Sequence, residues 1–140
     1  MEIQLSRFDI TDIKDDKVVV LIGKRETGKS FLCKDILYHH NNIPVGQVIS
    51  GTEAANEFYS KMVPKLFIHD EYNTAIIENV LKRQKHALKQ VKKELEVYKK
   101  TTIDPRPFTI LDDCLFDASW TKDKMMRLLF MNGRHWKIML

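Results

Sequence analysis

The segment that most constrains this chain is residues 17–30, where the β-branched apolar run Lys17-Val18-Val19-Val20-Leu21-Ile22-Gly23 leads directly into Lys24-Arg25-Glu26-Thr27-Gly28-Lys29-Ser30. A continuous apolar run ending in Gly predicts a buried strand of a parallel sheet. Beyond it, Leu32, Cys33, Ile36 and Leu37 recur at helical spacing over Ser30 to His40, and Asn41, Asn42 and Pro44 stop the helix. Between strand and helix, residues 23–30 fit G-x-x-x-x-G-K-[ST], which a chain of this composition matches by chance about two times in a thousand. In that setting successive backbone N–H groups and the helix N-terminus converge on phosphate. Gly23 and Gly28 let the backbone turn sharply and approach the phosphates without a Cβ in the way.

The motif assigns a role to each residue type. Lys29 is expected to reach the β- and γ-phosphates, and the Ser30 hydroxyl to ligate Mg²⁺, a hard cation that prefers oxygen. The candidate nucleotide-binding residues are therefore Gly23, Lys24, Arg25, Glu26, Thr27, Gly28, Lys29, Ser30 and Phe31, with ATP and Mg²⁺ as the expected cofactors. Such a site needs an acid at the end of a neighbouring strand. Phe108-Thr109-Ile110-Leu111-Asp112 supplies it, making Asp112 the second metal candidate and adjacent Asp113 the residue to orient or deprotonate the attacking water. Lys65 to Asp70 competes for the role of Asp112, but its apolar interior is shorter and is broken by His69.

The other elements continue a β/α alternation. Val45 to Ser50 reads as a strand, Thr52 to Lys61 as a short helix and Lys65 to His69 as a strand. A long helix from about Asn73 to Lys100 carries Ile77, Leu81, Leu88, Val91, Leu95 and Tyr98 at spacings of three and four, interrupted by Gln84. That stripe reads as a face packed on the sheet or as a short coiled-coil seam. After a linker over Thr101 to Pro107, a helix from about Lys122 to Met131 and a last strand, Trp136 to Leu140, close the chain. With 140 residues, 44% hydrophobic and 30% charged, a single domain over 1–140 is expected. No segment approaches the roughly 20 apolar residues that span a bilayer. Met1-Glu2-Ile3-Gln4 lacks the start of a secretory signal, and two unspaced cysteines make no disulfide framework, so a soluble protein of a reducing compartment is expected. Five histidines and two cysteines show no zinc spacing, and the Asn-Lys-x-Asp guanine signature is absent.

Charge is uneven. Residues 82–100 hold eight Lys or Arg against two Glu, a local +6 in a chain whose net charge is +4, so the remainder is negative. Lys85, Lys89, Lys92 and Lys93 in this stretch are candidates for a phosphate backbone, a solvated lysine-rich helix being the alternative.

Several segments together resemble the genome-packaging ATPases of the large nucleocytoplasmic DNA viruses, related to the poxvirus packaging ATPase and to the FtsK–HerA group of DNA pumps. The matching pieces are residues 23–32, 50–59 (SGTEAANEFY), 67–73 (FIHDEYN), 81–84, 110–114 (ILDDC) and 129–140 (LFMNGRHWKIML). The resemblance implies a three-layer α/β P-loop fold of the RecA-like, additional-strand type, with a mostly parallel sheet whose C-terminal strands, and a sensor glutamine, are expected beyond Leu140. It implies ATP hydrolysis coupled to movement of double-stranded DNA into a capsid, a homo-oligomeric ring, and location in the host cytoplasm at the virus factory or in the virion. It also implies that Arg134, in Asn132-Gly133-Arg134-His135, reaches a neighbouring subunit's nucleotide site, where a guanidinium meets charge growing on the transferred phosphate. Two alternatives stay open on the sequence: a small-molecule or nucleoside kinase of the same fold, and a nucleotide-binding module without turnover.

Overall fold

The computed structural model describes residues 4–116 and 118–140; Met1 to Ile3, considered above for a signal segment, lie outside them. Its centre is an all-parallel sheet of three strands, β1 (Val45–Ser50), β2 (Ile68–His69) and β3 (Pro107–Asp112), in the order β2-β1-β3. β1 and β3 pair along their whole length, from Val45 opposite Pro107 to Ser50 opposite Asp112, whereas β2 meets only Val48 and Ile49.

Two further extended pieces continue the layer past β3. Met139 pairs in parallel with Phe108, its N–H donating to the Pro107 carbonyl at 3.0 Å while its own carbonyl accepts from Thr109 N–H at 2.8 Å. Leu140 then joins the N-terminal segment: its N–H donates to the Lys17 carbonyl at 3.1 Å, and its carbonyl accepts from Val19 N–H at 2.7 Å. Spatially the sequence is therefore β2, β1, β3, residues 138–140, residues 17–19. The predicted buried strand over 17–23 is instead a segment beside residues 138–140, joined to them among the described residues through Lys17 and Val19. Val20 and Ile22 in this segment are 64% and 93% exposed.

Helices cover both faces, as side chains alternating along parallel strands require. On one side α3 (Thr74–Tyr98) and α4 (Lys124–Asn132) pack Ile77, Val80, Leu81, Met126 and Leu129 against Ile49 and Ile138. On the other, α1 (Lys29–His39) sets Ile36 against Ile43 and Met139, while Tyr59 and Val63 cover Val48. The chain is thus α/β, with a small open parallel sheet between helices.

Several elements differ from the sequence expectation. The helix predicted over 52–61 is cut to α2 (Glu53–Asn56) and a 3-10 turn at Tyr59–Lys61, because Glu57 takes a left-handed conformation and the Asn56 side chain captures the Phe58 N–H at 3.2 Å. Lys65–Phe67 is a 3-10 turn, so only Ile68–His69 of the predicted third strand pairs. Gly133–Trp136 is also 3-10, and the last predicted strand shrinks to residues 138–140. In α3 the polar break is a core residue: Gln84 is fully buried, donating from Nε2 to the Pro105 carbonyl at 2.5 Å and tying the linker to the helix. Beyond it the stripe leaves the body, and Leu95 and Tyr98 are exposed.

Candidate nucleotide and metal site

Residues 23–28 form a tight loop between the edge segment and α1. Gly28 sits at φ 85°, left-handed backbone where an L side chain is strained, and Lys29 begins the helix immediately after it. Thr27 Oγ1 donates to the Lys24 carbonyl at 2.8 Å, closing the turn. The Lys29 side chain folds back over the loop, its ammonium donating to the Gly23 and Lys24 carbonyls at 2.9 and 2.6 Å. The charge is thus parked above the loop on acceptors that a stronger anion can displace.

Ser30 faces β3. Its Oγ donates to Asp112 Oδ2 at 3.2 Å, bringing together the two metal candidates 82 positions apart. Asp70, the competing acid, follows β2 at the opposite edge of the sheet. Asp113 comes next on the chain, exposed and left-handed at φ 48°. Lys29, Ser30, Asp112 and Asp113 form the polar part of a cavity of about 290 Å³, whose apolar wall includes Leu21, Cys33, Ile110, Phe130 and Leu140.

A residue not singled out by the sequence completes this group. Tyr59, 1% exposed, donates its phenol hydrogen to Asp112 Oδ2 at 2.7 Å, so one carboxylate oxygen receives both Tyr59 and Ser30. Burial, with Cys33 and Asp112 beside it, pushes the phenol well above the ordinary tyrosine range and keeps it a donor. Burial likewise raises the Cys33 thiol to about 11 against an opposing bond from Tyr59, with the Asp112 charge adding to the rise. Glu53 grips the segment: its two oxygens accept from the Tyr59 and Ser60 N–H groups, both at 2.8 Å. Burial pushes the Glu53 carboxyl up, but those bonds outweigh it and hold the group below the usual carboxylate range. The one available signal was that a buried tyrosine hydroxyl demands a partner.

The other candidates lie elsewhere. Lys24, Arg25, Glu26 and Thr27 are exposed along the loop, and the exposed Phe31 ring stands edge-on to Phe58 with centroids 5.7 Å apart. Arg134 is exposed in the 3-10 turn after α4 and does not line the cavity. Lys85, Lys89, Lys92 and Lys93 are all exposed on α3; Lys85 lies over the Trp136 ring at 5.3 Å and Lys92 is 3.9 Å from Glu96. Among the described residues no group of three or more His, Cys, Asp or Glu side chains is arranged to hold a metal by itself. A hydroxyl and a carboxylate that share the metal with substrate phosphates and water are the donor set Mg²⁺ commonly takes, and Ser30 with Asp112 fits it. No described helix is long and apolar enough to cross a membrane.

The chain is similar to proteins of large DNA viruses. It is 39% identical over 137 residues to an uncharacterized protein of Acanthamoeba polyphaga mimivirus, an alignment covering 96% of this chain and 47% of that protein. It is 43% identical over 122 residues to an uncharacterized protein of Invertebrate iridescent virus 6, covering 86% and 43%, and 40% identical over 132 residues to one of Frog virus 3, covering 93% and 38%. The chain therefore spans less than half the length of these curated relatives. No family model and no solved structure matches it.

Proposed function

We propose that this chain is a Mg-ATP-binding P-loop ATPase domain and that its work is to drive double-stranded DNA into a viral capsid. The observation that carries the nucleotide half is the meeting of Ser30 and Asp112 at 3.2 Å beside the folded-back Lys29. The sheet order supports the RecA-like, additional-strand type, because residues 138–140 lie between the segment leading into the loop and the strand bearing Asp112. The packaging half rests on the resemblance carried by residues 23–32, 50–59, 67–73, 81–84, 110–114 and 129–140 to the genome-packaging ATPases.

In this reading Lys29 exchanges the Gly23 and Lys24 carbonyls for phosphate oxygens and follows the charge that grows during transfer. Ser30 and Asp112 would hold Mg²⁺, which would supply neutralisation of the phosphate charge. Asp113, exposed and lining the same cavity, would orient the attacking water. Arg134 serves the cavity of a neighbouring copy, which makes a homo-oligomeric ring the working unit, with the capsid as its partner at the virus factory or in the virion. The exposed lysines of α3 are the surface offered to the DNA backbone. Arg134 does not line the cavity of its own chain, so an isolated copy has no guanidinium from that residue at the site, and a chain kept from assembling would be a nucleotide-binding module without turnover.

Steady-state ATP hydrolysis with Mg²⁺, with and without double-stranded DNA, tests the proposal against a Lys29→Ala control. DNA-stimulated turnover that vanishes in the control is the expected result. Lys29-dependent ATP binding with no turnover selects the binding module, and absence of any Lys29-dependent binding ends both readings. Turnover that needs an added phosphoryl acceptor and ignores DNA points to a kinase.

A further inference from the structure

Asp112 stands at the end of β3, half-exposed, followed by a residue in left-handed backbone, so nothing in its own strand fixes the carboxylate. Two side chains do, and both act on Oδ2: Ser30 at 3.2 Å and Tyr59 at 2.7 Å. Among the described residues no donor is bonded to Oδ1. The two hydroxyls are not equivalent. Ser30 is the second residue of the helix after the loop, and in holding a metal it would give a lone pair of its oxygen to the ion while its one hydrogen stayed available to Asp112, so its position would be set by the ion as well as by the acid. Tyr59 has no such second task. Its ring is fully buried against Val48 and Val63, its backbone N–H is held by the buried Glu53, and Phe58 packs edge-on to it at 5.0 Å. A phenol held protonated has one hydrogen to give, and here it gives it to the carboxylate.

We propose that Tyr59 is the positioning residue of the metal site, holding Asp112 in the orientation that would take Mg²⁺ beside Ser30. This rests on the Mg-ATP reading above. The segment 53–60 thereby gains a task that its sequence does not advertise. Glu53 anchors the backbone, Tyr59 reaches 53 positions along the chain to the acid, and the end of β1 is coupled to the end of β3. Partners that orient a metal ligand are worth about 10- to 100-fold in metal affinity, and Tyr59 should fall in that range.

The test uses the full chain and a fluorescent N-methylanthraniloyl ATP analogue, titrated first in EDTA and then with rising Mg²⁺. Tyr59→Phe keeps the ring and removes only the oxygen. It is expected to bind the analogue in EDTA within about twofold of the unaltered chain while the Mg²⁺ midpoint rises about tenfold or more. Glu53→Gln, which keeps the phenol but removes the charge that grips the Tyr59 and Ser60 amides, should move the midpoint the same way by less, and stands in if Tyr59→Phe melts early. Asp112→Asn should abolish the Mg²⁺ response and show that the readout passes through the acid. An unaltered chain that binds well but shares its Mg²⁺ midpoint with the folded Tyr59→Phe or Glu53→Gln variant overturns the positioning role alone. An unaltered chain that binds no analogue overturns the nucleotide reading itself.

Discussion

Gly51 follows β1 directly, and its N–H donates to the Asp112 carbonyl at 3.3 Å. A Cβ built there lies 2.4 Å from the Asp113 carbonyl oxygen. Carbon and carbonyl oxygen normally approach to about 3.3 Å, so Gly51→Ala forces a separation of about 1 Å between two stretches of backbone. No flexible side chain is available to absorb it. Overpacking of this kind costs about 1 to 3 kcal/mol. A chain of this size loses about 3 to 5 °C of melting temperature per kcal/mol, which places the expected fall at about 3 to 15 °C. The displaced backbone carries both acids, and a 1 Å misplacement at a reacting centre costs about a hundredfold. The Mg²⁺-dependent part of nucleotide affinity should therefore weaken at least tenfold, while binding in EDTA, which rests on the loop at 23–30, changes little. Thermal melts and analogue titrations of Gly51→Ala beside Thr52→Ala, the next residue in the chain, measure both. A Gly51→Ala protein that melts with the unaltered chain and keeps its Mg²⁺ response would falsify the close approach and its role in seating the acids.

Two other perturbations have a stated sign. The Asp123 carboxyl is pushed up by burial but pulled down further by bonds from Tyr72, from Thr74 at 2.7 Å and from the Met125 N–H at 2.7 Å, with a net position below the ordinary range. A depressed carboxylate adds stability above the unfolded value of about 3.9 and loses it as pH falls through the folded one. Denaturant midpoints should therefore separate Asp123→Asn from the unaltered chain at pH 7 and draw together as pH falls below about 3.9, an unchanged separation refuting the linkage. Neutralising Lys89, Lys92 and Lys93 to Gln should weaken DNA binding and flatten the salt dependence by about 0.9 in slope for each phosphate that is no longer neutralised, and an unchanged slope would remove α3 from the DNA surface.

What the sequence disclosed was local or motif-borne. The periodicity over 30–40 and 73–100 and the apolar runs at 45–50 and 108–111 reappear as α1, α3, β1 and β3 within a few residues. Gln84 marks where such reading stops. A polar residue in an apolar stripe reads as an interruption, yet here it is buried, because the linker places the Pro105 carbonyl, which needs a donor, against the helix. The split of the predicted helix over 52–61 has the same origin, since Glu53 spends its carboxylate on amides that a continuous helix would have used. Tyr59 was hidden for another reason: its partner is 53 positions away, and no window of local sequence contains both. Periodicity also says nothing of what covers a face, so Leu95 and Tyr98 obey the stripe and still face solvent.

The placement of residues 138–140 joins these points into one constraint on the site. Parallel neighbours lie about 4.8 Å apart, so a piece of chain between residues 17–19 and β3 holds the two about 9.6 Å from each other at the level of Met139 and Leu140. The loop at 23–28 must then carry the chain back across that gap, and it does so in a turn that needs left-handed backbone at Glu26 and Gly28. α1 consequently starts over the end of β3, with Ser30 on Asp112, and runs back over the inserted piece, with Ile36 on Met139. The cavity lies between the edge segment and β3, so apolar residues of both line one part of it and the loop lysine and the two acids the other. The motif at 23–30 fits the pattern of a phosphate loop; the order of the extended pieces decides which acid that loop faces. That acid is Asp112 rather than Asp70, because β2 is separated from the inserted piece by both β1 and β3.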